Sequence, residues 1–372
     1  MRYGAVMIAI RRRASRLVGL TLCFGFAGLS APAYAAVPAS EVLGPAGAAA
    51  QGLTAYGGHV VWSQFDRAVG RWRLLQYFAG KVSRLAVGSR RVPFDADAGP
   101  DATGKPNLVY SRCAVEPSAP SGVNPAPDWN AAHRCRLYTV SLAPGGREHP
   151  VAGLQLARTE SATTPTMWHG ALAFALHRTR AHFAQVVLRH GSRLRTLVGG
   201  RRPTCRHVAQ CRPSAISGGV DQMDLGPRGL VLLWRASGGD VGGTGTEWQL
   251  RQDLLTPTRS SLLDRGEISG TCGYALPTSP NALDHGAAWL QFSILDCDMP
   301  DTAELLQATT TAHGKRSTRH TTLDGFPLTL AIDGNSAYWI RDQAPGDNRP
   351  HDAQDCIDTP TQCDLMRTAL NP

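Results

Sequence analysis

Three carboxylates crowd the run Asp95-Ala96-Asp97-Ala98-Gly99-Pro100-Asp101. Acids two residues apart in a bending loop can turn their oxygens onto one hard cation, which makes Asp95, Asp97 and Asp101 a candidate calcium site. In a strand, however, Asp95 and Asp97 share one face, and the EF-hand spacing is not completed. The competing reading is turn chemistry, with Asp101 capping a hairpin. Two more acid pairs, Asp221 with Asp224 and Asp296 with Asp298 beside Cys297, fall near strand ends and loops. Paired carboxylates facing each other at a channel mouth are what a glycosidase needs, but spacing does not establish that any two face each other.

Other reactive constellations are absent from the sequence. A nucleophilic serine sits on a GxSxG elbow, and the nearest string, Gly334-Asn335-Ser336-Ala337-Tyr338, lacks the second glycine and reads as a hairpin turn. The glycine run from Gly238 to Gly245 lacks the lysine and following helix of a phosphate loop and reads as a hairpin tip. His149, His169 and His285 fall among turn residues, where a solvated imidazole is the default.

The elements that would position these groups begin after a leader. Arg11, Arg12, Arg13 and Arg16 precede an apolar stretch from Leu17 to Leu29 and the small-residue site Ala33-Tyr34-Ala35, the pattern of a secretory signal peptide cut after Ala35. The apolar run is short of the roughly 20 residues that cross a bilayer, and no later stretch reaches that length. Removing the five leader arginines brings the formal charge from +9 to +4. The remaining basic spots, Arg90-Arg91 and Arg201-Arg202, are short and lack interleaved aromatics, so a nucleic-acid partner is not expected.

Eight cysteines follow the leader as sequence neighbours: Cys113 with Cys135, Cys205 with Cys211, Cys272 with Cys297, and Cys356 with Cys363. An even count in an exported chain points to disulfides, and local pairing is the simplest of the available connectivities. No Cys/His cluster has zinc spacing.

One pattern recurs along the chain. A glycine turn leads into a short apolar strand that ends in an aromatic: Gly58 to Trp62, Gly104 to Tyr110, Gly170 to Phe174, Gly229 to Trp234, Gly286 to Trp289 and Gly334 to Trp339. The starts are roughly 45 to 65 residues apart, a blade-like period with loop insertions. A more alternating strand follows each, for example Arg71 to Tyr77 and Arg136 to Leu142, implying one buried and one wet face. Six units of four short strands, with almost no helical periodicity, describe an all-β chain folded as one β-propeller of six four-stranded antiparallel blades. The recurring aromatics then read as packing between blades rather than as a saccharide-stacking row. The last unit stops after its third strand. The leading segment, residues 36–52, is therefore expected to supply the missing strand to a propeller spanning residues 53–372, after a signal peptide at 1–35, the alternative being a disordered Ala/Gly/Pro-rich tail.

The stretch Gly99-Pro100-Asp101-Ala102-Thr103-Gly104-Lys105 followed by Leu108-Val109-Tyr110-Ser111, with Leu137 to Leu142 and Gly145-Gly146, resembles the repeat of TolB-like (WD40-like) propellers. Thr164-Pro165 to Phe174 and Ile332 to Tyr338 match more loosely. The resemblance implies a six-bladed propeller used as an envelope or extracellular interaction surface, and it brings no catalytic residue with it.

The reading favoured by the sequence is thus a periplasmic or secreted, disulfide-bonded, non-enzymatic scaffold that binds a protein or glycan partner. It requires no cofactor, calcium being the one metal the acids suggest. The alternative is an extracellular hydrolase or lyase acting on a carbohydrate or lactone, assisted by calcium.

Overall fold

A computed structural model describes residues 40–47, 50–117, 132–178, 184–198, 217–240, 243–255, 258–268, 274–294, 302–310, 316–342 and 363–370. Every regular element among them is a strand, and the strands form six four-stranded antiparallel sheets. The first blade comprises β2 (Gln51–Tyr56), β3 (His59–Asp66), β4 (Arg71–Phe78) and β5 (Lys81–Arg84). The second holds β6 (Asp97–Pro100), β7 (Pro106–Arg112), β8 (Arg136–Ser141) and β9 (Glu148–Pro150), and the third β10 (Ser161–Trp168), β11 (Ala171–His177), β12 (Gln185–His190) and β13 (Arg193–Val198). The fourth holds β14 (Ser217–Gly226), β15 (Gly229–Asp240), β16 (Gly243–Leu255) and β17 (Thr258–Ile268). The fifth holds β18 (Tyr274–Leu283), β19 (Gly286–Ile294), β20 (Thr302–Thr310) and β21 (Arg316–Thr322).

The sixth blade runs through β22 (Phe326–Asp333), β23 (Ser336–Asp342) and β24 (Cys363–Ala369), and takes its outer strand from β1 (Glu41–Pro45) at the other end of the chain. β1 lies antiparallel on β24, with Glu41 opposite Arg367 and Pro45 opposite Asp364, so the expected closure by the leading segment is present. It gives β24 a partner where an open edge would otherwise invite pairing with another chain.

The first strand of each blade packs on the first strand of the next, and β22 returns to β2, which makes the inner strands a closed ring. One apolar core fills each of the six gaps between neighbouring blades. This is why second strands such as β3 and β11 read as continuous apolar runs: each is covered by a blade on both faces. The outer strands β5 and β21 are exposed and polar, as edges must be to avoid pairing.

Trp62, Tyr110, Phe174, Trp234, Trp289 and Trp339 are all buried, in keeping with the packing role expected of them. One phase assignment needs correction. Trp62 follows Val61, which pairs with Thr54, and Trp339 follows Tyr338, which pairs with Ala331. In the fourth blade the residue at that place, after Val231 opposite Asp224, is Leu232. Trp234 lies two residues further along the same face, where it joins Leu232 in the core against the third blade.

Cys113 and Cys135 form the expected disulfide, bracketing the connection from β7 to β8. Cys363 is disulfide-bonded as well. Cys205, Cys211, Cys272, Cys297 and Cys356 lie outside the described residues, as do Asp296 and Asp298.

Candidate functional site

The polar residues of the inner strands form a belt around the ring. Each inner strand except β6 carries a bulge where its pairing to the second strand slips, at Gln51/Thr54, Thr163/Thr166, Val220/Gln222, Thr278/Asn281 and Pro327/Thr329. A bulge frees backbone N–H groups from the ladder and turns them sideways. In this ring the Thr164 and Ser279 N–H groups, inside two of these bulges, meet side chains of the preceding blade.

Five bonds repeat one geometry. The N–H of Ala98 donates to Thr54 Oγ1 at 2.8 Å, that of Met167 to Asp97 at 3.1 Å, and that of Leu225 to Thr166 Oγ1 at 2.7 Å. The N–H of Ala282 donates to Asp224 at 2.6 Å and that of Ile332 to Asn281 at 2.9 Å. Thr54, Asp97, Thr166, Asp224 and Asn281 are therefore one structural position in five successive blades. The sixth blade has Ala331 at that position, and there the Gly58 N–H donates to the Asp333 carboxylate at 2.7 Å, joining the last blade to the first.

A second tier lies two residues earlier, nearer the start of each inner strand. Asp95 accepts the N–H of Thr164 at 2.9 Å, and Gln222 accepts that of Ser279 at 2.5 Å. Thr164 and Ser279 both take left-handed backbone, φ 44° and 50°, and each precedes a proline. A residue with a side chain disfavours that region, the β-branched Thr164 most of all, so captured N–H groups help hold the conformation.

The candidate calcium residues can now be placed. Asp95, with a side chain 2% exposed, lies 3.6 Å from the buried guanidinium of Arg90. It also accepts the N–H of Ser111 at 3.1 Å and its hydroxyl at 2.6 Å. Burial raises its pKa, and Arg90 opposes that rise. Asp97 accepts the hydroxyls of Thr54 at 2.9 Å and Thr166 at 2.8 Å besides the Met167 N–H. Its pKa stands well above the usual carboxylate range, through burial first and the Asp224 charge second. Asp101 sits apart in a surface turn, where it accepts bonds from Thr103 N–H, Thr103 hydroxyl and Lys105 N–H at 2.7 to 3.0 Å. Slight burial would raise its pKa, but these bonds lower it. Among the described residues no group of three or more His, Cys, Asp or Glu side chains is placed to hold a metal ion.

Asp224, which the sequence paired with Asp221, instead meets Asp97 through Thr166, whose hydroxyl is 3.4 Å from Asp224 Oδ1. Burial pushes its pKa up to about 6. His169 and His285 occupy exposed two-residue turns as expected, whereas His149 lies on β9. Within the run from Gly238 to Gly245, residues 238–240 pair with residues 243–245 at the ends of β15 and β16, and Val241 and Gly242 lie outside the described residues.

Sequence reasoning missed Thr54, Thr166 and Asn281. A signal for them existed: Thr54, Thr166, Asn281 and Ala331 each stand eight residues before Trp62, Phe174, Trp289 and Trp339. Asp224 stands eight before Leu232, so aligning the fourth unit on Trp234 hid the series.

No known family profile matches this chain, and no curated protein matches it. Among solved structures it is similar to a luciferin-regenerating enzyme, with 8% identity, a TM-score of 0.44, and coverage of 89% of this chain and 95% of that one. It is similar to the acylaminoacyl peptidase of Pyrococcus horikoshii, with 9% identity, a TM-score of 0.38, and coverage of 88% and 53%. For a tricorn protease the values are 12%, 0.28, and 77% and 33%. The chain thus spans about half the length of that peptidase and a third of the tricorn protease.

Proposed function

We propose that this chain is an exported β-propeller that binds a protein or glycan partner and performs no catalysis. The observation that carries the reading is the occupation of its axial acids. Asp95, Asp97 and Asp224 each accept backbone N–H groups of the next blade, so their oxygens serve the ring rather than a substrate. A glycosidase needs two carboxylates free to face a scissile bond.

The strand order adds a direction to the reading. Connections from first to second strand are short, residues 57–58, 169–170, 227–228, 284–285 and 334–335 in five blades. In an antiparallel blade, the connections from second to third strand, and from the outer strand to the next blade, all open on the opposite face. Residues 85–96, 113–117, 132–135 and 151–160 belong to that face, with the Cys113–Cys135 bridge among them. Long loops on a rigid scaffold are where binding residues concentrate. The leader pattern and the disulfide support export to an oxidising compartment.

The test measures binding of the oxidised chain to immobilised envelope glycans and envelope proteins, alongside turnover of glycoside, ester and lactone panels with and without calcium. Saturable binding without turnover fits the proposal. Multiple turnover that disappears in Asp97→Asn or Asp224→Asn would overturn it.

A further inference from the structure

Thr166 Oγ1 is surrounded by three polar groups but has a single proton to give. It accepts the Leu225 N–H at 2.7 Å, lies 2.8 Å from Asp97 Oδ2, and lies 3.4 Å from Asp224 Oδ1. Its one proton can serve only one of the two carboxylates, so the other faces an oxygen lone pair. Two oxygens that both only accept repel, unless one of them carries a hydrogen.

The surroundings supply neutral donors to both carboxylates but no charge to hold both ionised. Asp97 receives three donors, the hydroxyls of Thr54 and Thr166 and the Met167 N–H, which favour its ionised form. Asp224 receives the Ala282 N–H on Oδ2 and a share of the Leu225 N–H, which also bonds Thr166 Oγ1 at 2.7 Å. No cation lies within ion-pair distance of either carboxylate among the described residues. β2 presents Thr54 to the pair, β10 presents Thr166 and the Met167 N–H, and β18 presents the Ala282 N–H. The other titratable groups on or beside these strands have their own partners: Asp95 faces Arg90, Tyr56 lies beside Asp333 and Asp101, and His177 is bonded to Thr163. Asp221, three residues before Asp224, also has an interaction of its own.

We propose that the Asp97 and Asp224 carboxyls keep one proton between them, bonded through Thr166 Oγ1, and that this proton locks the second, third and fourth blades together. Losing it places two uncompensated negative charges on one threonine at the ring. Burial raises both acids above their unfolded values. The stabilisation is therefore complete below the ordinary carboxylate range and is lost in two steps as pH rises, the first through about 6 as Asp224 ionises and the second higher, as the remaining proton leaves Asp97. An exported propeller built this way has a tighter ring in acid surroundings than in alkaline ones.

The experiment is an infrared pH titration of the oxidised full chain, with urea unfolding at matched pH values. A carboxylic-acid C=O band is expected to persist in the wild type above pH 5 and to vanish in Asp224→Asn. The wild-type folded-to-unfolded ratio should fall by up to about tenfold per pH unit across the window, as one bound proton requires. Asp224→Asn supplies a permanent N–H donor to Thr166 and should flatten that slope, whereas Thr166→Val should lower stability at every pH. Absence of a protonated carboxyl band above pH 5 in the wild type would overturn the proposal, whether or not the variants fold. So would restoration of wild-type stability at pH 8 by millimolar calcium, since a cation and not a proton would then hold the pair.

Discussion

The indole N–H of Trp62 donates to the carbonyl of Ala46 at 3.0 Å, and Ala46 in turn donates its own N–H to the carbonyl of Cys363 at 2.8 Å. The core tryptophan of the first blade is thus hydrogen-bonded to the segment that completes the last. Trp289 and Trp339 satisfy their indoles differently, through Gln291 and the Asp324 carbonyl.

Trp62→Phe removes that bond and leaves a void where the larger ring was, and should cost about 2 kcal/mol in urea unfolding. Glu41→Ala, which breaks the exposed ion pair to Arg367 on the same closing strand, should cost about 0.5 kcal/mol or less. Deleting residues 41–46 should instead expose the edge of β24 and produce concentration-dependent association, read by light scattering. An equal loss from Glu41→Ala and Trp62→Phe would show that the surface pair, and not the buried linkage, seals the ring.

Gly99 lies where the second blade presses on the third. A Cβ there would stand 2.1 Å from the Met167 carbonyl oxygen, two residues from the Asp97 bond to the Met167 N–H. Gly99→Ala must push β6 away from β10 and should cost about 3 kcal/mol by thermal or urea unfolding. A midpoint unchanged from wild type would mean that the blades separate at no cost.

Asp95→Asn tests the use of that carboxylate. It weakens the bonds from Ser111 and Thr164 and leaves Glu116 as the carboxylate facing the buried Arg90, and should cost about 2 to 4 kcal/mol. With its oxygens already met, millimolar calcium should leave the wild-type thermal midpoint unmoved. A calcium-dependent rise that Asp95→Asn abolishes would return Asp95 to the metal role its spacing suggested.

Reduction of the Cys113–Cys135 bridge, or the double substitution Cys113→Ser with Cys135→Ser, should lower stability by about 3 kcal/mol for a loop of this length. The side chain of Cys135 packs with Val92 and Ala132 in a small core of its own, so the loss should be accompanied by faster proteolysis near that segment, checked by limited digestion. Unchanged stability on reduction would mean that the unfolded chain is equally restrained without the bridge.

Much of this architecture is local and therefore written in the sequence. A glycine turn, an apolar run and an alternating strand specify a blade by period alone, and their repetition specifies six. The missing fourth strand of the last unit required a donor, and the leading segment was the one piece of chain without a unit, which is how β1 was legible. The Cys113–Cys135 pair followed from nearness along the chain. The belt was not legible in the same way. Its bonds join residues 43 to 70 apart, and 275 apart where the last blade meets the first; bulges at Thr163/Thr166 and Thr278/Asn281 aim the Thr164 and Ser279 N–H groups at a neighbouring blade, whereas the other strand donors sit at regularly paired positions of the inner strands. Spacing grouped Asp224 with Asp221 and Asp97 with Asp95 and Asp101, whereas ring closure placed Asp224 and Asp97 on opposite sides of Thr166. Hydrophobic period sets which residues form a strand, but only the assembled ring decides which blade's N–H a buried carboxylate meets.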